Sequence, residues 1–360
     1  MIRVVLIFGG RSAEHEVSIL SARSVANAAP KQRFEIIPVS MARDGHFISP
    51  ARSARILEGG ERADRGDEDF SFETWLQTQK PDVAFPLIHG TGGEDGTLQG
   101  YLETAGVSYV GSGVAASAIG MDKAFMKDAF GAAKLPMADF VEVLEREWTT
   151  ERERVVRSVN NSLRLPYFVK PANSGSSVGV TKVKSDSALA AAIEKAFHFD
   201  EKVLVERGID AREIEVSVLG NDSPEASVPG EVVAGREFYD YEDKYIENKA
   251  QLIIPAKLPK DKSDEVRRLA IAAFRAIGAS GYARVDFFLE RGTNRIFVNE
   301  INTIPGFTRI SMYPKLWEAT ELKYSRLIER LIELGLERGK AREERRQSAM
   351  KWFEEVKPLT

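Results

Sequence analysis

Apolar positions along this chain follow two periods, and the changes of period mark its elements. Unbroken apolar runs at Arg3–Phe8 and Asp82–Ile88 read as strands buried in a parallel sheet, with Phe34–Val39 a further strand between them. The stretch from Gly9 to Ser18 (GGRSAEHEVS) reads as a glycine turn opening a helix that continues through Ala28. Helices are predicted again at Ala115–Phe130, at the charged stretch Glu145–Arg157 and, most clearly, at Ser263–Gly278. Shorter runs at Pro166–Lys170, Lys202–Glu206 and Glu213–Leu219 predict strands. Gly235–Tyr245 has neither period and is dense in aromatics and charges, so it reads as a lid or binding loop. Two stretches are expected at the surface: Ala51–Asp69, rich in Arg, Glu and Asp, and the helical tail Glu337–Lys357.

The most informative pattern is a hairpin, Ala283–Glu290 and Arg295–Asn302 around Arg291-Gly292-Thr293-Asn294. Alternate side chains of a strand share a face, so Arg284 lies with Asp286, and Glu300 with Asn302. Two carboxylates and an amide oxygen suit a hard cation such as Mg²⁺, and the arginine suits a phosphoryl group or oxyanion. The competing reading is the solvated face of an ordinary sheet. A Pro-Gly turn, Thr303–Thr308, follows directly, and there the Gly306 backbone can approach a ligand closely.

Other stretches carry candidate chemistry with a plainer alternative beside each. HGTGGEDGTLQG, starting at His89, sits where a strand ends and open α/β sheets bind ligands; His89 is favoured for function over Glu94 and Asp95. Glu14 either reaches into the same crevice or serves only the helix dipole. KPANSGSSVGV, starting at Lys170, is a small-residue loop that folds over a triphosphate or is a flexible hairpin. Lys123, on an amphipathic helix, reads by itself as solvated.

Composition narrows the class. A chain of 360 residues, 43% hydrophobic and 29% charged, suggests two or three domains of a soluble enzyme. A net charge of −4 argues against a nucleic-acid binder. The absence of cysteine removes disulfides, thiolate metal sites and a thiol nucleophile, and fits a reducing, cytoplasmic setting. The apolar run Met1–Phe8 is too short for a signal peptide or membrane span, so no membrane role is expected.

Taken in order, GGRSAEHEVS, HGTGGEDGTLQG, GSGVAASAIGMDK, KPANSGSSVGV, EFYDYEDKY, ARVDFF and NEINTIPGFT closely resemble the D-alanine–D-alanine ligases of the ATP-grasp superfamily, from Val4 to about Leu334. The resemblance implies an α/β ATP-grasp fold: a doubly wound N-terminal domain (1–111), a central lid domain (112–207) and a C-terminal α+β catalytic domain with a charged tail (208–360). It implies ATP and two Mg²⁺ (or Mn²⁺) as cofactors, two D-alanine molecules as substrates, and a cytoplasmic homodimer. By similarity Lys123 and Lys170 contact ATP phosphates, while Glu206, the backbone near Arg207, Glu213 and Phe238 hold the nucleoside. Asp286, Glu300 and Asn302 hold the metals. Glu14, with His89 nearby, takes the first D-alanine; Ser311 takes the carboxylate of the second. Arg284 and the Gly306 amide stabilise the oxyanion, and Lys244 meets the transferred phosphoryl group. Ser176 and Tyr245 join Glu14 in a triad locking loop to lid, and Tyr245 disfavours D-lactate as acceptor. Arg207 departs from the lysine or glutamine of many relatives. The 51–69 segment and the tail after Gly339 carry no family role.

Overall fold

The computed structural model describes residues 1–233 and 251–356, and these form three sheets. The first is built from β1 (Ile2–Gly9), α1 (His15–Ala28), β2 (Phe34–Met41), β3 (Phe47–Ile48), α2 (Pro50–Glu58), α3 (Phe72–Gln79), β4 (Val83–Pro86) and α4 (Thr97–Thr104). Strand order is β3-β2-β1-β4, with β1 parallel to both neighbours. Val4 to Phe8 are fully buried because helices cover both faces. Val4, Leu6 and Phe8 point into one core and Val5 and Ile7 into another, the period of two expected of a strand.

Two short helices follow, α5 (Val114–Met121) and α6 (Lys123–Ala132). The single helix expected over 115–130 is broken at Asp122, whose carboxylate caps the backbone N–H groups of Ala124 and Phe125. The second sheet comprises β5 (Phe140–Leu144), β6 (Tyr167–Pro171), β7 (Thr181–Val183) and β8 (Lys202–Arg207), in the order β5-β8-β6-β7 and antiparallel throughout. It is backed by α7 (Glu145–Ser162) and α8 (Asp186–Ala196) around Trp148, Val159, Leu189 and Ile193.

The third sheet contains β9 (Ala211–Gly220), β10 (Glu225–Ala226), β11 (Gly230–Val233), β12 (Gln251–Ile253), β13 (Gly281–Glu290) and β14 (Ile296–Asn302). Its order is β12-β11-β9-β13-β14, with β10 on β9. The amphipathic helix α9 (Lys260–Ala276) covers one face, and its core also takes in Met126 and Phe130 of α6. α10 (Met312–Glu318) and α11 (Tyr324–Val356) complete the chain. The first half of α11 belongs to the N-terminal core, where Leu327, Ile328, Leu331 and Ile332 join the cluster of Val4, Leu6 and Phe8 with Ile19, Ala22 and Val25 of α1.

The segment 51–69 is not the loose surface insertion that its charges suggest. Ile56 and Ala63 are core residues, and Arg52 ties the stretch together through Glu61, Asp67 and the Arg65 carbonyl. The charges conceal this because Arg52 and Arg55 meet Glu61, and Arg52 also meets Asp67, across the turn. The tail behaves as expected: Met350, Trp352 and Phe353 are 53%, 55% and 59% exposed.

Candidate active site

A row of acids crosses the third sheet. Register sets Glu215 on β9 opposite Asp286 on β13, and Asp286 opposite Glu300 on β14. One step along, Ser217, Arg284 and Asn302 form the next row. The ladder slips between Asp286 and Phe287, a bulge of the kind that re-aims side chains near active sites. Arg284 donates to both carboxylate oxygens of Asp286, at 2.7 and 2.6 Å, and lies 3.1 Å from Glu215. Burial opposes its charge, but Asp286 and Glu215 outweigh burial and keep the guanidinium firmly protonated.

This donor set fits a hard divalent cation in chemistry, though it is no closed cage. Among the described residues no three His, Cys, Asp or Glu side chains converge on one point. Asn302 Oδ1 accepts from the Ile304 N–H at 2.9 Å, which fixes the amide at the mouth of the row. A cation here needs oxygens from a bound phosphate to complete its shell, as Mg²⁺ does.

The second sheet brings lysines to the same place. Lys123 opens α6 and donates to the Ser174 carbonyl at 2.6 Å. It is partly buried rather than freely solvated; desolvation lowers its affinity for a proton, against the pull of Glu300. Glu206, at the end of β8, lies 3.0 Å from Lys127 and 3.3 Å from Lys170. Burial pushes its carboxyl up, but the two ammoniums more than offset this and hold it below the ordinary range. Arg207 stacks its guanidinium over Phe297 at 5.4 Å, and its backbone N–H is used by Asp139. Glu213 faces Val232 and Phe288 across β9.

The N-terminal sheet closes the cleft. Glu14 is the N-cap of α1, and its carboxylate accepts from Ser176 Oγ at 2.6 Å, 162 positions along the chain. Ser176 and Ser177 both have left-handed backbone (φ 50° and 59°), a strained geometry that aims the loop inward. Gly90 is required here: at φ 73° it passes so close that an added Cβ would lie 3.0 Å from Glu14 Oε2.

His89 is an interior residue. It is buried, with Nδ1 donating to the Ile304 carbonyl at 2.9 Å and Nε2 3.0 Å from Ser21 Oγ. Ser21 Oγ also accepts from the Phe307 N–H, so His89 and Ser21 hold both sides of the turn carrying Gly306. Burial opposes a charged ring, but Glu94 and Glu14 raise its affinity for a proton. Ser311 stands just before α10, and its Oγ accepts from the Thr308 N–H rather than capping the helix; an added Cβ on Gly306 would meet that Oγ at 3.1 Å. Phe238, Lys244 and Tyr245 lie outside the described residues.

Comparison with known proteins decides the family. A model described as the D-ala D-ala ligase N-terminus matches residues 3–112, and one described as the D-ala D-ala ligase C-terminus matches residues 129–333. The chain belongs to the D-alanine–D-alanine ligase family. It is 47% identical over 339 residues to the D-alanine–D-alanine ligase of Halothermothrix orenii, covering 93% of this chain and 98% of the relative. It is 46% identical over 361 residues to that of Chloroherpeton thalassium, covering 96% and 99%. Among solved structures, the D-alanine-D-alanine ligase from Coxiella burnetii is similar with a TM-score of 0.79 and 32% identity, covering 97% of this chain and 99% of that one. The D-Ala:D-Ser ligase VanG from Enterococcus faecalis gives 0.80 and 31%, covering 93% and 99%.

In this ligase the three sheets bring together Glu14 with Ser176, Lys123 with the 172–180 loop, Lys170 with Glu206, and Gly306 with Ser311. Two residues went unnoticed in the sequence. Lys127 repeats four positions after Lys123, and Glu215 repeats two after Glu213, so both share a face with a suspected residue.

Proposed function

We propose that the protein joins two D-alanine molecules with ATP, forming D-alanyl-D-alanine for the bacterial cell wall and releasing ADP and phosphate. The observation that carries this reading is the Glu14–Ser176 hydrogen bond. It brings the start of α1 against the loop after Lys170, and Lys123, which bonds the same loop, feels the charge of Glu300 on the third sheet.

In this reading Glu14 binds the ammonium of the first D-alanine and orients its carboxylate toward the γ-phosphate. Phosphoryl transfer to a carboxylate oxygen expels ADP and leaves an acyl phosphate. The amine of the second D-alanine, anchored through Ser311, attacks the acyl carbon, loses a proton, and phosphate departs. Arg284 and the Gly306 amide face the oxyanion, and Lys123, Lys170 and Lys244 neutralise phosphate charge, so positioning and electrostatics do most of the work. Asp286, Glu300 and Asn302 would hold two Mg²⁺ or Mn²⁺ ions, which supply further neutralisation of the transferring group. Glu206, Glu213, Phe238 and the Arg207 backbone would receive the nucleoside. We further assign lobes 1–111, 112–207 and 208–360, a homodimer and a cytoplasmic site of action on the family reading. Sedimentation of the purified chain tests the dimer.

The deciding experiment measures phosphate release from ATP with D-alanine and with no amino acid, and identifies the product by mass. D-Serine and D-lactate are offered as competing acceptors. Phosphate release that ignores D-alanine would reject the reading, and a mixed ester or D-alanyl-D-serine as main product would correct the acceptor. Tyr245→Phe is expected to admit some D-lactate while dipeptide synthesis continues.

A further inference from the structure

α6 presents two lysines one turn apart on one face, Lys123 toward the loop after β6 and Lys127 toward β8. Lys127 is among the most completely buried side chains of the molecule, at 1% exposure. Each oxygen of Glu206 has its own ammonium: Lys127 is 3.0 Å from Oε2 and Lys170 is 3.3 Å from Oε1. The two lysines are not equivalent. Lys127 and Glu206 are shielded from solvent, with side-chain exposures of 2% and 3%, whereas Lys170 is 14% exposed and stands where β6 runs into the 172–180 loop. Lys127 is also held from the other side, its ammonium 5.4 Å from the centre of the Phe140 ring.

Lys127 Nζ lies at charge-assisted distance from Oε2, 3.0 Å, and occupies one side of that oxygen, which has two lone pairs. Oε2 therefore keeps a lone pair for another donor, while its charge is already compensated.

We infer that Lys127 is a positioning residue of the nucleotide site: it is the standing counter-ion of Glu206 and holds that carboxylate in place when Lys170 turns to the phosphates. This rests on the reading that Glu206 faces the base and Lys170 the phosphates. One lysine cannot serve both ends of the nucleotide. Without Lys127, either Lys170 stays on Glu206 and is lost to the phosphates, or Glu206 takes up a proton. A protonated carboxyl is a poorer acceptor for the exocyclic amine of adenine. With Lys127 present, Glu206 stays ionised and accepts from that amine; the oxygen that guanine carries at the same position would meet it lone pair to lone pair.

The test uses the full chain and the variants Lys127→Met, Lys127→Arg, Glu206→Gln and the Lys127→Met/Glu206→Gln double. ADP affinity is measured by calorimetry, and KM and kcat are measured for ATP and GTP with D-alanine. Lys127→Met is expected to raise KM for ATP and Kd for ADP about tenfold or more, to lower saturated kcat by no more than about threefold, and to shrink the preference for ATP over GTP. Lys127→Arg keeps the charge and is expected to recover affinity to within about threefold of the parent. In the Glu206→Gln background, Lys127→Met is expected to change affinity by less than about twofold, because its partner is already gone.

A Lys127→Met variant with ADP affinity within about twofold of the parent, or one that loses only kcat, would overturn the inference. If Lys127→Met does not fold, the double variant decides, since it leaves no lone buried charge. There a further loss of about tenfold in ADP affinity relative to Glu206→Gln would overturn it. Glu206→Gln itself separates the two levels. Unchanged ADP affinity and base preference in that variant would overturn the assignment of the base site. A Glu206→Gln defect without a Lys127→Met defect would overturn only the role given to Lys127.

Discussion

Glu300 stands on the edge strand of its sheet, opposite Asp286, so it is the member of the carboxylate row best placed to meet a ligand. Glu300→Gln removes the charge and keeps the shape. We expect kcat to fall by about a hundredfold or more while ATP affinity changes by less than about tenfold, because the charge is needed most as the phosphoryl group moves. Turnover and calorimetric affinity on one preparation check this; an active variant would take Glu300 out of the site. His89 offers a test in pH. Its folded-state affinity for a proton is raised above the ordinary value of 6.5, and that of Glu94 is raised above 4.5. Both groups bind protons more tightly in the folded chain, so both contributions decline as pH rises. The His89 share is complete below pH 6.5 and is lost as pH climbs through the higher folded value. Between pH 6 and 9 the parent is expected to lose about 2 °C more in Tm than His89→Gln. Equal slopes would show that the ring is neutral throughout. At this scale the sequence was legible wherever a short period applied. Alternation along β13 and β14 puts Asp286, Glu300 and Asn302 in view, but Glu215 joins them only through pairing between strands about 70 positions apart. The burial of Lys127 likewise depends on β8, which no local pattern around α6 announces.

At the scale of elements, α11 is two objects in one helix. Its first half is core, and its docking runs through glycines: Cβ atoms added at Gly335 and Gly339 would lie 3.1 Å from the Tyr109 backbone and 2.0 Å from Ser108 Oγ. Arg338 then covers the Tyr109 ring at 4.1 Å, and Arg342 pairs with Glu103 at 2.8 Å. Gly339→Leu is expected to cost about 1–3 kcal/mol, as overpacking does, read as a drop in the urea midpoint. The second half touches little. Truncation after Gly339 removes one half-exposed ion pair to the body, Arg342–Glu103, two exposed pairs within the tail and a set of exposed side chains, so we expect kcat and KM unchanged and a stability loss below about 1 kcal/mol. A loss above about 2 kcal/mol would mean that Met350, Trp352 and Phe353 are covered in solution. Strand and helix types were largely legible because the apolar periods are long and clean. The break at Asp122 and the core residues of segment 51–69 were not, since a cap in mid-helix and the acids that hold Arg52 and Arg55 are visible only once the chain has turned back.

At the scale of the molecule, the first lobe is finished by the last helix. Arg33 pairs with Glu329, Tyr324 bonds Ser24 at 3.0 Å, and Leu327, Ile328, Leu331 and Ile332 complete the core that Val4, Leu6 and Phe8 share with Ile19, Ala22 and Val25 of α1. During synthesis that core has only the cover of the lobe's own helices until the ribosome has added the roughly 200 residues that follow the first sheet, a wait of about 10 to 40 s at ordinary elongation rates. The nascent N-terminal lobe therefore waits with part of its apolar core open, and the final closure joins segments far apart in the chain, the kind of contact that forms slowly. A fragment ending at residue 111 is expected to collapse without cooperative melting and to bind a hydrophobic dye. A peptide spanning residues 320–345, added to it, is expected to restore a sharp transition by circular dichroism. If the fragment melts cooperatively alone, the lobe is independent. If not, this ligase becomes a folded protein only when its two ends have met.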